Sequence, residues 1–269
     1  MNLRDKLVVP PGKSAWLAKR DPDDTLGFEK DHKTKAVLTK QCERLDALQY
    51  LLYAERKHAL LVVLQSLDAG GKDGTIRHVM SGLNPQGCRA TAFKVPTAEE
   101  ASHDFLWRVH LAVPPSGDIG IFNRSHYEDV LVVRVHNLVP KAVWSKRYDQ
   151  INAFEKTLAE SGVQIVKVFL HISKQEQKKR FRERLHDRDK RWKISPADFA
   201  ERKFWSDYQA AYEDAITLCS TPWAPWYVIP ANKKWFRNLA VSRILVETLE
   251  DLRMKFPPPS FDVSHIKIK

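Results

Sequence analysis

The chain has 269 residues, 43% of them hydrophobic, and 44 Lys and Arg against 33 Asp and Glu, for a formal net charge of +11 at pH 7. That size supports one large buried α/β core, and no apolar run reaches the roughly 18 residues that a membrane span needs. Cys42, Cys88 and Cys219 form no C-x-x-C pair and the ten histidines no H-x-x-x-H spacing, which argues against a disulfide framework or a zinc site.

In chain order, residues 1–33 are rich in Pro, Lys and Asp, show little periodicity and predict an irregular N-terminal arm. Charges and prolines stand there where a signal peptide needs an apolar stretch, so a cytoplasmic location is expected. From Thr34 to Lys57 the residues Val37, Leu38, Leu45, Leu48, Leu51 and Leu52 recur at helical spacing. The unbroken apolar run Ala59–Leu64 predicts a strand buried on both faces. Further strands are predicted at Ala90–Phe93, Ile119–Phe122, Ile165–Ile172 and Trp226–Ile229, and helices at Ala98–Leu111, Ser145–Glu160 and Pro196–Leu218. This alternation predicts an α/β fold with a parallel sheet covered on both faces. Pro257 to Pro259 end the last helix and leave residues 257–269 as a tail.

The strongest local signal follows the first strand: Leu64-Gln-Ser-Leu-Asp-Ala-Gly-Gly-Lys-Asp-Gly-Thr75. A strand, a Gly-rich turn ending in Gly-Lys and a helix onset describe a phosphate-binding loop. Gly70, Gly71 and Gly74 let backbone N–H groups converge on an anion, and Lys72 adds a mobile charge. The ATPase pattern is not met in full: Ser66 replaces its first Gly, Asp73 replaces its closing Ser/Thr, and Thr75 lies too far along to substitute simply. A carboxylate inside an anion cradle, Asp68, would repel phosphate unless a cation lay between them. A Mg²⁺ ion held partly by Asp68 is therefore expected.

The second constellation is Asp118-Ile-Gly-Ile-Phe-Asn-Arg-Ser-His-Tyr-Glu-Asp-Val-Leu131. Its strand delivers Asn123, Arg124 and Ser125 to the carboxyl edge of the sheet, where ligands of α/β folds bind. Arg124 is suited to clamp phosphate oxygens, and Glu128 and Asp129 are candidate metal ligands, although a helix N-cap explains Ser125 and Glu128 equally well. In the basic stretch Lys178–Lys193, nine Lys and Arg face three acidic residues, with Arg180 and Arg184 on one helix face. Alone it reads as a solvated face; beside a phosphate loop it reads as a lid whose arginines close on phosphates.

At these motifs the chain resembles the family-2 polyphosphate kinases. The resemblance rests on Leu67-Asp-Ala-Gly-Gly-Lys-Asp-Gly-Thr75, Phe93-Lys-Val-Pro-Thr97, Asp104-Phe-Leu-Trp-Arg108 and Phe122-Asn-Arg-Ser-His-Tyr-Glu-Asp-Val130, with the lid-like Arg184–Lys193 and Ala224–Lys233. It implies a three-layer α/β/α P-loop kinase-like fold over residues 34–256, with a helical lid at about 174–200. It also implies Mg²⁺, inorganic polyphosphate as a partner, AMP, ADP and ATP as nucleotides, and a homo-oligomer (dimer or tetramer). Nucleic acid is not expected as a partner. On the family pattern Asp68, Lys72 and Arg124 are catalytic. Gly70, Gly71, Asp73, Gly74, Thr75, Arg77 and Lys94 then line the phosphate path. Asn123, Glu128, Arg180 and Arg184 serve the nucleotide or lid, and Asp68 and Glu128 the metal.

Branches preferring nucleoside diphosphates resemble F-D-R-S-W-Y-N at the second motif, where this chain has Asn123, His126 and Glu128. That resembles the branch phosphorylating both AMP and ADP. The alternatives are a strictly diphosphate-accepting enzyme and a polyanion- or RNA-binding protein, which would leave the Asp68 and Lys72 pairing unexplained.

Overall fold

The computed structural model describes residues 3–263 and 266. Six strands form one sheet: β1 (Val8–Val9), β2 (Ala59–Gln65), β3 (Cys88–Ala92), β4 (Ile119–Asn123), β5 (Val163–His171) and β6 (Trp226–Pro230), in the order β1-β6-β5-β2-β4-β3. β2 to β6 run parallel, as the alternation of strands and helices predicts, and β1 pairs antiparallel with β6 through Val8 and Tyr227.

Central β2 is buried along its whole length. Because strand side chains alternate, Leu60, Val62 and Leu64 join one core with helices His32–Glu55 and Lys234–Asp251, through Leu45, Leu52 and Ile244. Ala59, Leu61 and Val63 join the other with helices Arg147–Glu160 and Trp205–Cys219, through Ile151 and Ile216. The result is three layers, helix on sheet on helix.

The N-terminal arm departs from the expected irregular segment. Leu3–Leu7 is a short helix with Leu3 and Leu7 buried, and Val8–Val9 closes the sheet edge. Glu213 then fastens the arm, accepting from Ser14 Oγ and from the N–H groups of Trp16 and Leu17, each at 2.7 Å. The helix expected over Ala98–Leu111 is two pieces, Ala98–Ser102 and Trp107–His110. The Asp104 carboxylate accepts from Leu106 N at 2.9 Å, and such a side-chain turn competes with helix continuation. The helix expected over Pro196–Leu218 is likewise divided, by a 3-10 turn at Arg202–Phe204. Residues 257–263 hold no helix or strand, and of the expected arm and tail residues 1–2, 264–265 and 267–269 lie outside the described residues.

Candidate active site

β2 sits between β4 and β5, so its carboxyl end opens at the place where the sheet order changes direction. There β2 gives way to the loop 66–71 and helix Lys72–Val79. Gly70 has to be glycine on contact grounds: a Cβ there would lie 2.4 Å from Ser66 Oγ and 2.8 Å from Leu67 O. Gly71 caps the helix at φ +109°, in the region that favours glycine. Lys72 Nζ folds back over this turn and donates to Ser66 O and Ser66 Oγ, both at 3.0 Å. Burial, with Arg124 adding to it, lowers the Lys72 pKa from 10.5 to about 8.

The register Leu64↔Asn123 carries the second motif alongside the loop. Arg124, in the left-handed region at φ +62°, donates from Nη2 to Asp68 Oδ1 at 2.8 Å. Asn123 Nδ2 donates to Asp73 Oδ1 at 2.8 Å, and Lys193 Nζ stands 4.0 Å from Asp73 Oδ2. Asp68 in the loop and Asp73 in the first turn of the helix are thus each held by a residue from the end of β4.

These residues open on a cleft of about 790 Å³. Its wall holds ten cations, namely Lys72, Arg77, Lys94, Arg124, Arg180, Arg184, Lys190, Lys193, Lys234 and Arg237. The acids there are four, Asp68, Asp73, Glu183 and Asp198. Such an imbalance in a concave site concentrates anions. The exposed indole of Trp192 completes the outer wall.

Three expected site residues are placed differently. Thr75 is fully buried and its hydroxyl donates to Gly71 O at 3.1 Å, so it braces the helix start instead of facing the cleft. Arg180 is no mobile lid arginine. Its Nε donates to Glu176, its Nη1 to Ala69 O and Gly70 O, and its Nη2 to Ala231 O and Asn232 O. Those bonds occupy all five N–H donors of a guanidinium and leave none for a phosphate. Glu128 is not among the residues of the cleft wall. Burial raises its pKa against the pull of Arg124 and Lys72. Arg184, four residues beyond Arg180, does line the cleft. Asp129 is paired with Arg147 at 2.9 Å.

Two features escaped the sequence reading. Beneath the second motif, fully buried Lys167 donates to Glu155 Oε2 at 2.5 Å, Tyr127 OH at 2.8 Å and Cys219 O at 2.6 Å. Glu155 also accepts from Tyr127 OH at 2.9 Å and lies 3.1 Å from His126 Nε2, so the network fixes the segment that follows Arg124. A lysine inside the apolar run of β5 was the available signal. The other is Arg237, against Gly71 and Gly74.

The residues fit a magnesium ion in a limited sense. Among the described residues no group of three or more His, Cys, Asp or Glu could hold a metal. Mg²⁺ is commonly held by one or two carboxylates, with water and substrate phosphates filling its octahedron, and Asp68 in the phosphate loop supplies such a carboxylate.

Residues 28–257 match the family described as Polyphosphate kinase 2 (PPK2). The chain is 56% identical over 258 residues to the AMP/ADP-polyphosphate phosphotransferase of Meiothermus ruber, covering 94% of this chain and 96% of that protein. It is 47% identical over 254 residues to the ADP-polyphosphate phosphotransferase of Rhodopseudomonas palustris, covering 90% and 86%. The crystal structure of polyphosphate kinase 2 from Arthrobacter aurescens TC1 superposes with a TM-score of 0.94 at 46% identity, covering 98% of this chain and 94% of that one.

Proposed function

We propose that this chain, which belongs to the polyphosphate kinase 2 family, transfers a phosphoryl group between inorganic polyphosphate and nucleotides, forming ADP from AMP and ATP from ADP. The observation that carries the reading is the Asp68–Arg124 pair at the mouth of a phosphate loop, inside a cation-lined cleft. That arrangement suits a substrate that is polyanionic along its length.

In this reading polyphosphate lies along Arg77 and Lys94 and ends over the loop. Lys72 leaves Ser66 and binds the oxygens of the terminal phosphate, which restores its full charge. The oxygen of the nucleotide's end phosphate attacks the terminal phosphorus in line, the bridging P–O bond breaks, and the shortened polyphosphate leaves with the electron pair. No general base is required, because a nucleotide phosphate is already ionised at neutral pH. Arg124 and Lys72 meet the charge spread over the transferred group, and catalysis rests on position and electrostatics. Magnesium, when bound at Asp68, would screen that carboxylate from the phosphate oxygens.

The helical segment 174–200 is the lid in this scheme, with Arg184 and Lys193 over the cleft. Its first turns are tied to the loop through Arg180 and Gln177, whose Nε2 donates to Asp68 O at 2.9 Å. Closure is therefore a movement of the residues after Arg184. No helix among the described residues is long and apolar enough to cross a membrane; a homo-oligomer remains the expectation from the resemblance, and a cytoplasmic location the expectation from the N-terminal sequence.

The test is direct. The purified protein is incubated with Mg²⁺, polyphosphate and AMP, ADP or GDP, and the nucleotides formed are separated. ADP and ATP should form from AMP. Product from ADP alone would favour the strictly diphosphate-accepting reading, and no product from any acceptor would overturn the proposal.

A further inference from the structure

Arg237 stands in the first turn of helix Lys234–Asp251 and is 3% exposed. Its Nε and Nη2 both donate to Asn238 Oδ1, at 3.0 and 2.8 Å. Those bonds use two of the five N–H groups that a guanidinium carries. Among the described residues no carboxylate pairs with it. The charged group acting on it is another cation, Arg180, which together with the larger effect of burial draws its pKa down to about 10.

The guanidinium is aimed at the phosphate loop. Its Nη1 lies 2.0 Å from the position that a Cβ on Gly71 would take, and its Nη2 3.3 Å from that of Gly74. It therefore fills the space beside both loop glycines and lines the cleft. A desolvated charge without a counter-ion is unfavourable in a folded protein. Arg180, its neighbour, has Glu176 and four carbonyls to satisfy it. Arg237 has one amide oxygen.

We propose that Arg237 is a phosphate-binding residue of the loop, and that its missing counter-ion is the phosphate held over Gly71 to Gly74. The inference rests on the polyphosphate reading above and assigns the loop a cation that comes from the far end of the chain. Gly71 is then glycine for two reasons, its backbone conformation and the room it leaves for this guanidinium.

The experiment uses tripolyphosphate as probe. Its binding to the wild-type protein, Arg237→Gln and Arg237→Lys is measured by titration calorimetry, together with the melting temperature of each ligand-free protein. Arg237→Gln should weaken tripolyphosphate at least 30-fold and Arg237→Lys less. The ligand-free melting temperature of Arg237→Gln should hold or rise, because an uncompensated buried charge has been removed. A folded Arg237→Gln that binds tripolyphosphate as tightly as wild type overturns the proposal while leaving the functional reading intact. So does a variant that unfolds or melts far lower, since the charge would then be structural. Failure of the wild-type protein to bind tripolyphosphate would overturn the functional reading, and this inference with it.

Discussion

Arg124 Nη2 and Asp68 Oδ1 meet at 2.8 Å, joining the end of β4 to the phosphate loop at the end of β2. The pair is partly open to solvent, with side chains 41% and 24% exposed, so its value for folding is small. Under the proposed function its value for chemistry is larger, since both groups line the cleft that would take the phosphates.

Asp68→Asn should lower kcat at least a hundredfold, about 2.7 kcal/mol of transition-state stabilisation, and Arg124→Met should do the same. Both variants should melt close to the wild-type temperature. Steady-state kinetics beside a thermal melt check this, and near-full activity in either variant would remove the loop from the reaction centre.

Arg180 predicts a different pattern. Lysine keeps the charge but offers three donors in place of five, so Arg180→Lys must release some of the carbonyls of Ala69, Gly70, Ala231 and Asn232. The expected result is faster amide exchange at residues 69–72 and a fall in kcat of roughly tenfold or more. Arg184→Lys, at the cleft wall, should change the polyphosphate KM and leave loop exchange unaltered. Equal exchange in all three proteins would show that Arg180 does not position the loop.

What the sequence made legible was local. An apolar run, a turn of glycines and a lysine at a helix onset lie within 14 residues, 59–72, and each has its own physical signature. Depth was not legible. Arg180 and Arg184 share a helix face and both line the cleft, yet Arg180 is buried with its donors spent on Glu176 and backbone carbonyls. Glu128 was expected at a metal and is absent from the cleft wall; the turn His126–Asp129 is held by a buried network reaching β5 and helix Arg147–Glu160. Within that network burial alone would raise the Glu155 pKa, but Lys167 and His126 hold it low. Its contribution to stability is whole above the ordinary value of 4.5 and is lost as the pH falls below it. The two-residue strand β1 is too short to show any period at all.

Lys72 gives a prediction in pH. Burial and Arg124 lower its pKa to about 8 in the ligand-free protein, so above pH 8 it is increasingly neutral. A bound polyanion favours the charged form. Polyphosphate binding at pH 9 should therefore take up a proton, and affinity should fall as the pH rises past 8. Calorimetry in two buffers of different ionisation enthalpy reads the uptake, which Lys72→Met should abolish. For folding the sign is opposite. Between about 8 and 10.5 the unfolded chain holds the Lys72 proton more tightly, so this group's contribution to stability rises with pH in that window. Binding with no proton uptake at pH 9 would refute the charge-restoring role.

Position 128 tests the choice of acceptor. AMP is one phosphate shorter than ADP, so with the nucleoside in one place its attacking oxygen falls several Å short. To react it must move deeper, toward Arg124 and the Glu128 carboxylate that acts on it. Glu128 is half-buried, and its carboxylate interacts electrostatically with Arg124 and Lys72. An amide at this position keeps a hydrogen-bonding side chain but removes that restraint. It would leave both cations freer to draw the donor phosphates inward, which fills the space a short acceptor must enter. Glu128→Asn is therefore expected to reduce turnover of AMP at least tenfold more than turnover of ADP, with loop and lid unchanged. Were Glu128 a helix cap alone, both activities would fall together or not at all. Rates for the two acceptors measured side by side decide the matter, and an unchanged ratio would sink the idea.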